Sequence, residues 1–241
     1  MGKLNQFCEN WKKKSQISTR LIAFGSSNTE LGWHSEGHHN WVDWLNLCLR
    51  RSIGNHVSLI NQGIGGETGT DLLGRIERDV FSFSPELVIV TIAGNDALRP
   101  FTVKSYTQNL RKICEQIAAH DAQPVLQTYY CPLFEQFPAE FEHRFETFAG
   151  VNRALAAERN YPIIDQYRCF EPFYRNDSEA YRTVMRDGLH LKPVGNLLMG
   201  TMAGRAFGLP DPEIPAAMQA EFDEMMARMA QFCNLPEKKI N

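Results

Sequence analysis

The chain has 241 residues, 43% hydrophobic and 22% charged, with a formal net charge of −3. That is enough chain for one sizeable core, in an ordinary globular composition. No basic stripe interleaved with aromatics is present, which argues against a nucleic-acid partner, and no apolar run approaches the roughly 20 residues a membrane span needs.

The N-terminal segment has no secretory-type apolar stretch, and its basic run, Lys12 to Lys14, reads as a solvated face. The six cysteines (Cys8, Cys48, Cys114, Cys131, Cys169, Cys233) are scattered without a Cys-x-x-Cys pair. Cys48 and Cys114 fall in helical patterns, Cys131 and Cys169 near expected strand ends. Reduced thiols in a cytoplasmic protein are the expectation.

In chain order, Arg20–Gly25 is an apolar strand that stops at Gly-Ser-Ser. Asn40–Arg51 has apolar residues at helical spacing behind an Asn cap. His56–Ile64 reads as a second strand, and Thr68–Phe81 as a helix with Leu72, Leu73, Ile76 and Val80 on one face. Glu86–Ala93 is almost continuously apolar, as a central parallel strand covered on both faces would be.

Tyr106–Ala119 is a helix, Pro124–Tyr130 a fourth strand, Phe141–Arg159 a helix and Pro162–Asp165 the start of a short fifth strand. Pro193–Phe207 is a helix that Gly208 and Pro210 stop. Residues 213–233 form a methionine-bearing amphipathic helix (Met218, Met225, Met226, Met229) expected to pack back on the core, about 19–208. This βα alternation predicts a single α/β domain, a three-layer α/β/α sandwich around a parallel sheet of about five strands.

The chemistry collects just past strand ends. All strands of a parallel sheet end on one edge, so residues there become neighbours. Ser27 follows the first strand, Gly65-Gly66 the second and Asn95-Asp96 the third, with Asp187-Gly188-Leu189-His190 near the C-terminus. A serine hydroxyl needs a base to become nucleophilic; His190 would be that base, and Asp187 would fix its tautomer from the same face of a helical turn. The amides of Ser27 and Gly66 and the Asn95 side chain would stabilise an oxyanion.

Each piece also has a plain structural reading. Asp187-Gly188 before Pro193 is ordinary turn punctuation, Gly65-Gly66 a strand-to-helix turn capped by Thr68, and Asn95-Asp96 an Asx turn. Their order after successive strands favours the catalytic reading.

In that order the chain resembles the SGNH hydrolases, also called GDSL esterases/lipases, from about residue 20 to about residue 207. Phe24-Gly25-Ser26-Ser27-Asn28-Thr29 matches the nucleophile block, and Asn61-Gln62-Gly63-Ile64-Gly65-Gly66-Glu67-Thr68 the second block. Gly94-Asn95-Asp96 matches the third, and Asp187 with His190 the last. The resemblance implies a flavodoxin-like fold, Ser27, Asp187 and His190 as catalytic residues, and Ser27, Gly66 and Asn95 as the oxyanion hole. One departure stands out: the family usually has aspartate before the nucleophile, where this chain has Ser26. A serine hydroxyl can partly replace the hydrogen bonds such an aspartate gives its turn.

Trp33, His34, His38, His39 and Trp41 cluster after the Ser27 turn. His34 and His38 have helical spacing for zinc, but no Asp or Cys completes a ligand set, so no metal is expected. A substrate-lining loop is preferred, with Trp33 and His34 as wall residues, and Trp33 or Trp41 able to stack on a sugar ring. Tyr130 and Phe134, past the fourth strand, are wall candidates and equally buried anchors. Gly63–Gly69 lacks the Gly-Lys-Ser/Thr of a phosphate loop.

The expectation is a cofactor-free serine esterase acting on a small acyl ester of a soluble alcohol, with acetyl the acyl group favoured. A lysophospholipase or thioesterase is the nearest rival. A non-catalytic ligand-binding domain on the same fold is the alternative of another class.

Overall fold

The structure is a computed structural model and describes residues 3–30 and 35–238. Its centre is a parallel sheet of five strands: β1 (Thr19–Gly25), β2 (Val57–Gly63), β3 (Leu87–Thr91), β4 (Gln123–Gln127) and β5 (Ile163–Ile164), in the order β2-β1-β3-β4-β5. All four pairings are parallel, with Leu21 opposite both Leu59 and Leu87. β3 is buried at every position, as its unbroken apolar sequence requires. Each of its large aliphatic side chains withdrawn from water contributes roughly 1.5–3 kcal/mol.

Helices cover both faces. α1 (Lys3–Lys12) precedes β1, and α2 (Trp41–Ser52) follows it. Asn40 caps α2 by accepting from Val42 and Asp43 N–H, while Asp43 accepts from Asn40 N–H. α3 (Gly69–Asp79), α4 (Gly94–Leu98), α5 (Val103–Ala119) and α6 (Ala139–Arg159) come next, with α3 packed on α5 and α5 on α6. α7 (Tyr167–Asn176) and α8 (Ser178–Thr183) lead to the Asp187 loop. α9 (Pro193–Ala206) packs on α2, and α10 (Ala216–Phe232) on α7 and α9. Met225 and Met229 of α10 are buried, so the methionine stripe does face the core.

Three readings need correction. α1 was not expected, yet Leu4, Cys8 and Trp11 are buried at helical spacing and anchor it. α5 begins at Val103, because Thr102 accepts from Ser105 N–H and starts the helix earlier than its apolar residues suggest. Cys169 lies within α7 and not near a strand end; Pro172 inside that helix disguised it.

Candidate active site

The sheet order reverses between β1 and β3, which are adjacent in space but not in sequence. Crossovers there leave in opposite directions and open a crevice above the strand ends. At the end of β1 the backbone turns sharply, with Thr29 and Glu30 N–H both donating to Ser26 O at 2.9 Å. A Cβ on Gly25 would lie 2.7 Å from Thr91 O, so only glycine lets the two strand ends approach this closely.

Four loops meet in the crevice. Ser27 Oγ donates to His190 Nε2 at 3.0 Å, and His190 Nδ1 donates to Asp187 Oδ2 at 2.9 Å. With Nδ1 as the donor, Nε2 keeps its lone pair for the serine proton. Ser27 is buried and His190 nearly so, while the Asp187 side chain stays 42% exposed. Burial acts to raise the Asp187 pKa. The N–H groups of Leu189 and His190 and the imidazole outweigh that and hold the carboxyl below its usual range.

Asp187 and His190 do not sit on a helical turn. They occupy a loop closed by an antiparallel bridge between Met185 and Leu191. Asp187 Oδ1 accepts the N–H of Leu189 at 2.8 Å and of His190 at 2.9 Å, and this curls the loop so that both side chains converge.

The second loop adjoins the serine, and the start of α4, past the third strand, adjoins the histidine loop. A Cβ on Gly65 would lie 3.8 Å from Ser27 Cβ, and one on Gly94 would lie 3.6 Å from Leu189. Gly66 has φ +78°, a conformation that favours glycine, and its carbonyl accepts from Arg99 Nη2 at 2.8 Å. Asn95 Nδ2 donates one N–H to Glu67 O at 2.8 Å, which leaves its second N–H for a ligand. Asp96 Oδ1 accepts from Gly69 N–H at 3.0 Å and ties α4 to the start of α3.

The arrangement offers a nucleophile, a base, an orienting carboxylate and fixed N–H donors. A model of the GDSL-like lipase/acylhydrolase family matches residues 23–198. The chain belongs to this family. The chain is 29% identical over 179 residues to an Escherichia coli (strain K12) protein named thioesterase 1/protease 1/lysophospholipase L1, covering 73% of this chain and 77% of that one. It is 27% identical over 181 residues to an arylesterase of Vibrio mimicus, covering 74% and 83%.

Among solved structures, an acetylxylan esterase from Geobacillus stearothermophilus shares the fold with a TM-score of 0.69 at 20% identity, over 83% of this chain and 98% of that one. A lipase/acylhydrolase from Enterococcus faecalis does so with a TM-score of 0.64 at 22% identity, over 81% and 100%. This protein is thus an enzyme that cleaves ester bonds, which sets the non-catalytic reading aside.

Tyr130 and Phe134 are not crevice walls. Tyr130 is fully buried, and its hydroxyl bonds Asn28 Oδ1 and Leu189 O, joining the serine turn to the histidine loop. Phe134 packs among Phe141, Phe145 and Tyr174. Nearby, Leu133 N–H donates to Gly188 O at 2.9 Å, so this segment supports the histidine loop from beneath. Trp41 is also buried, its Nε1 donating to Asn28 O at 2.8 Å, and cannot stack on a sugar. Trp33 and His34 lie outside the described residues. Among the described residues no group of three or more His, Cys, Asp or Glu could hold a metal ion, and no helix is long and apolar enough to cross a membrane.

Two further residues matter here. Tyr129 Oη is 2.7 Å from Ser26 Oγ. Arg75 is buried between Leu72 and Ile76 on the core side of α3. A charge on an apolar helix face was its visible signal.

Proposed function

We propose that Ser27 attacks the ester carbonyl while His190 takes its proton and then passes it to the leaving alcohol. Asp187 holds the imidazole in the required tautomer and stabilises the imidazolium. The Ser27 and Gly66 amides and the free N–H of Asn95 stabilise the oxyanion, and each such donor is worth about 3 kcal/mol. Water, activated by His190, then hydrolyses the acyl-enzyme. The observation that carries this reading is the unbroken chain from Ser27 Oγ through the imidazole to Asp187, with links of 3.0 and 2.9 Å.

The substrate we infer is an ester of a short acyl group, acetyl foremost, on a soluble alcohol. A small crevice beside Ser27 and His190 has Asn28, Glu30, Ser35 and Asn40 in its lining, polar surroundings that disfavour a long alkyl chain.

A series of p-nitrophenyl esters from acetate to dodecanoate, with acetylated sugars alongside, tests this. kcat/KM is expected to be highest at acetate and to fall about tenfold or more by octanoate. Each excluded methylene forfeits binding or forces strain of about 1 kcal/mol. A maximum at octanoate or beyond would replace this reading with the lysophospholipase or thioesterase chemistry named for the Escherichia coli relative.

A further inference from the structure

The geometry points to Arg75 as a positioning residue for this site, acting through Glu67 to hold nucleophile turn and oxyanion loop at one spacing. The inference rests on the roles proposed above for Ser27, Gly66 and Asn95. Arg75 Nη2 donates to Gly25 O at 3.0 Å, two residues before Ser27, and Nη1 donates to Gln62 O at 3.1 Å, near the end of β2. Nε donates to Glu67 Oε2 at 2.6 Å, and Nη1 also donates to Asp79 Oδ2 at 3.0 Å. The guanidinium lies 4.6 Å from the centre of the Phe24 ring.

One planar cation therefore spans two strand ends and the side chain of the residue after Gly66. Burial makes this rigid: the Arg75 side chain is 6% exposed, and two carboxylates balance its charge. Glu67 passes the constraint on, because its backbone carbonyl receives the Asn95 amide. Arg75 touches neither the reacting serine nor the space where a substrate binds. Its effect is to keep the Gly66 and Asn95 donors aimed at the oxyanion formed on Ser27. A misplaced donor costs rate and not ground-state binding, since a neutral ester carries no oxyanion. A lysine cannot replace it, because one ammonium cannot reach four acceptors in a plane.

The test compares wild type, Glu67→Ala, Glu67→Gln and Arg75→Lys on p-nitrophenyl acetate at 25 °C, with a thermal midpoint for each. A wild type lacking turnover that Ser27→Ala removes would sink the earlier assignment, not this one. Given that turnover, Glu67→Ala is expected to lower kcat about tenfold with KM within about twofold. Glu67→Gln, whose amide oxygen still accepts from Arg75 Nε, should recover to within about threefold of wild type. The inference is overturned if Glu67→Ala lowers only the thermal midpoint and leaves kcat within twofold, if its loss appears in KM, or if Gln and Ala are equally impaired. A folded Arg75→Lys with full kcat would overturn it too. Where Arg75→Lys does not fold, the Glu67 pair decides.

Discussion

Ser26 occupies the position where the family resemblance implies an aspartate, and its hydroxyl meets the Tyr129 phenol at 2.7 Å, out of contact with solvent. Burial pushes the Tyr129 pKa up to about 12, so the phenol stays neutral and both partners stay uncharged. A neutral pair avoids the desolvation an ionised aspartate would suffer here. Tyr129→Phe should lower stability by about 1–2 kcal/mol and kcat about threefold, because it leaves a buried hydroxyl without this partner. Adding Ser26→Ala should restore part of that stability. Urea unfolding of both single mutants and the double mutant reads the coupling, and strict additivity would show that the contact carries no energy. The candidate triad residues were legible in sequence because each stands at a fixed short offset from a strand end or from its partner. For Tyr130 the sequence alone leaves wall and buried anchor equally open, for a reason of the same kind. An aromatic just past a strand looks alike whether it faces the crevice or lies beneath it, and its deciding partner, Leu189 O, is 59 residues away.

α3 and α4 are joined by one buried carboxylate. Asp96 is 1% exposed, and burial raises its pKa to about 6 from an ordinary 3.8. A carboxyl with a raised folded-state pKa holds its proton more tightly when folded. Its stabilising contribution is complete below pH 3.8 and is lost as pH climbs through about 6. Asp96→Asn should therefore flatten the pH dependence of stability between about pH 4 and 6. At pH 7 it should gain up to about 2–3 kcal/mol, less the cost of an amide N–H without an acceptor. Urea midpoints at pH 4, 5, 6 and 7 measure this, and an unchanged slope would contradict it. The strands and long helices were readable from apolar period alone. α1, α7 and α8 were not. α1 is short and ends in charge, Pro172 interrupts α7, and α8 has six residues, too few for a period to stand out.

The whole molecule closes a loop of 163 residues between the Ser27 hydroxyl and the His190 ring. Sequence showed alternating strands and helices and hence one shared edge. Local pattern did not show the order β2-β1-β3-β4-β5, whose reversal beside β1 makes the crevice; that order belongs to the flavodoxin-like fold the resemblance implies. Nor did it show that Tyr130 and Leu133 brace the histidine loop while Arg75 braces the serine turn. These contacts depend on distant segments meeting, which local pattern does not encode. The most direct test of the central claim is covalent labelling with diisopropyl fluorophosphate, followed by peptide mass mapping. One adduct on Ser27 is predicted, formed at least about a hundredfold more slowly in a folded His190→Ala variant. An unlabelled Ser27, or an adduct on another residue in an enzyme that has lost its activity, would contradict the account.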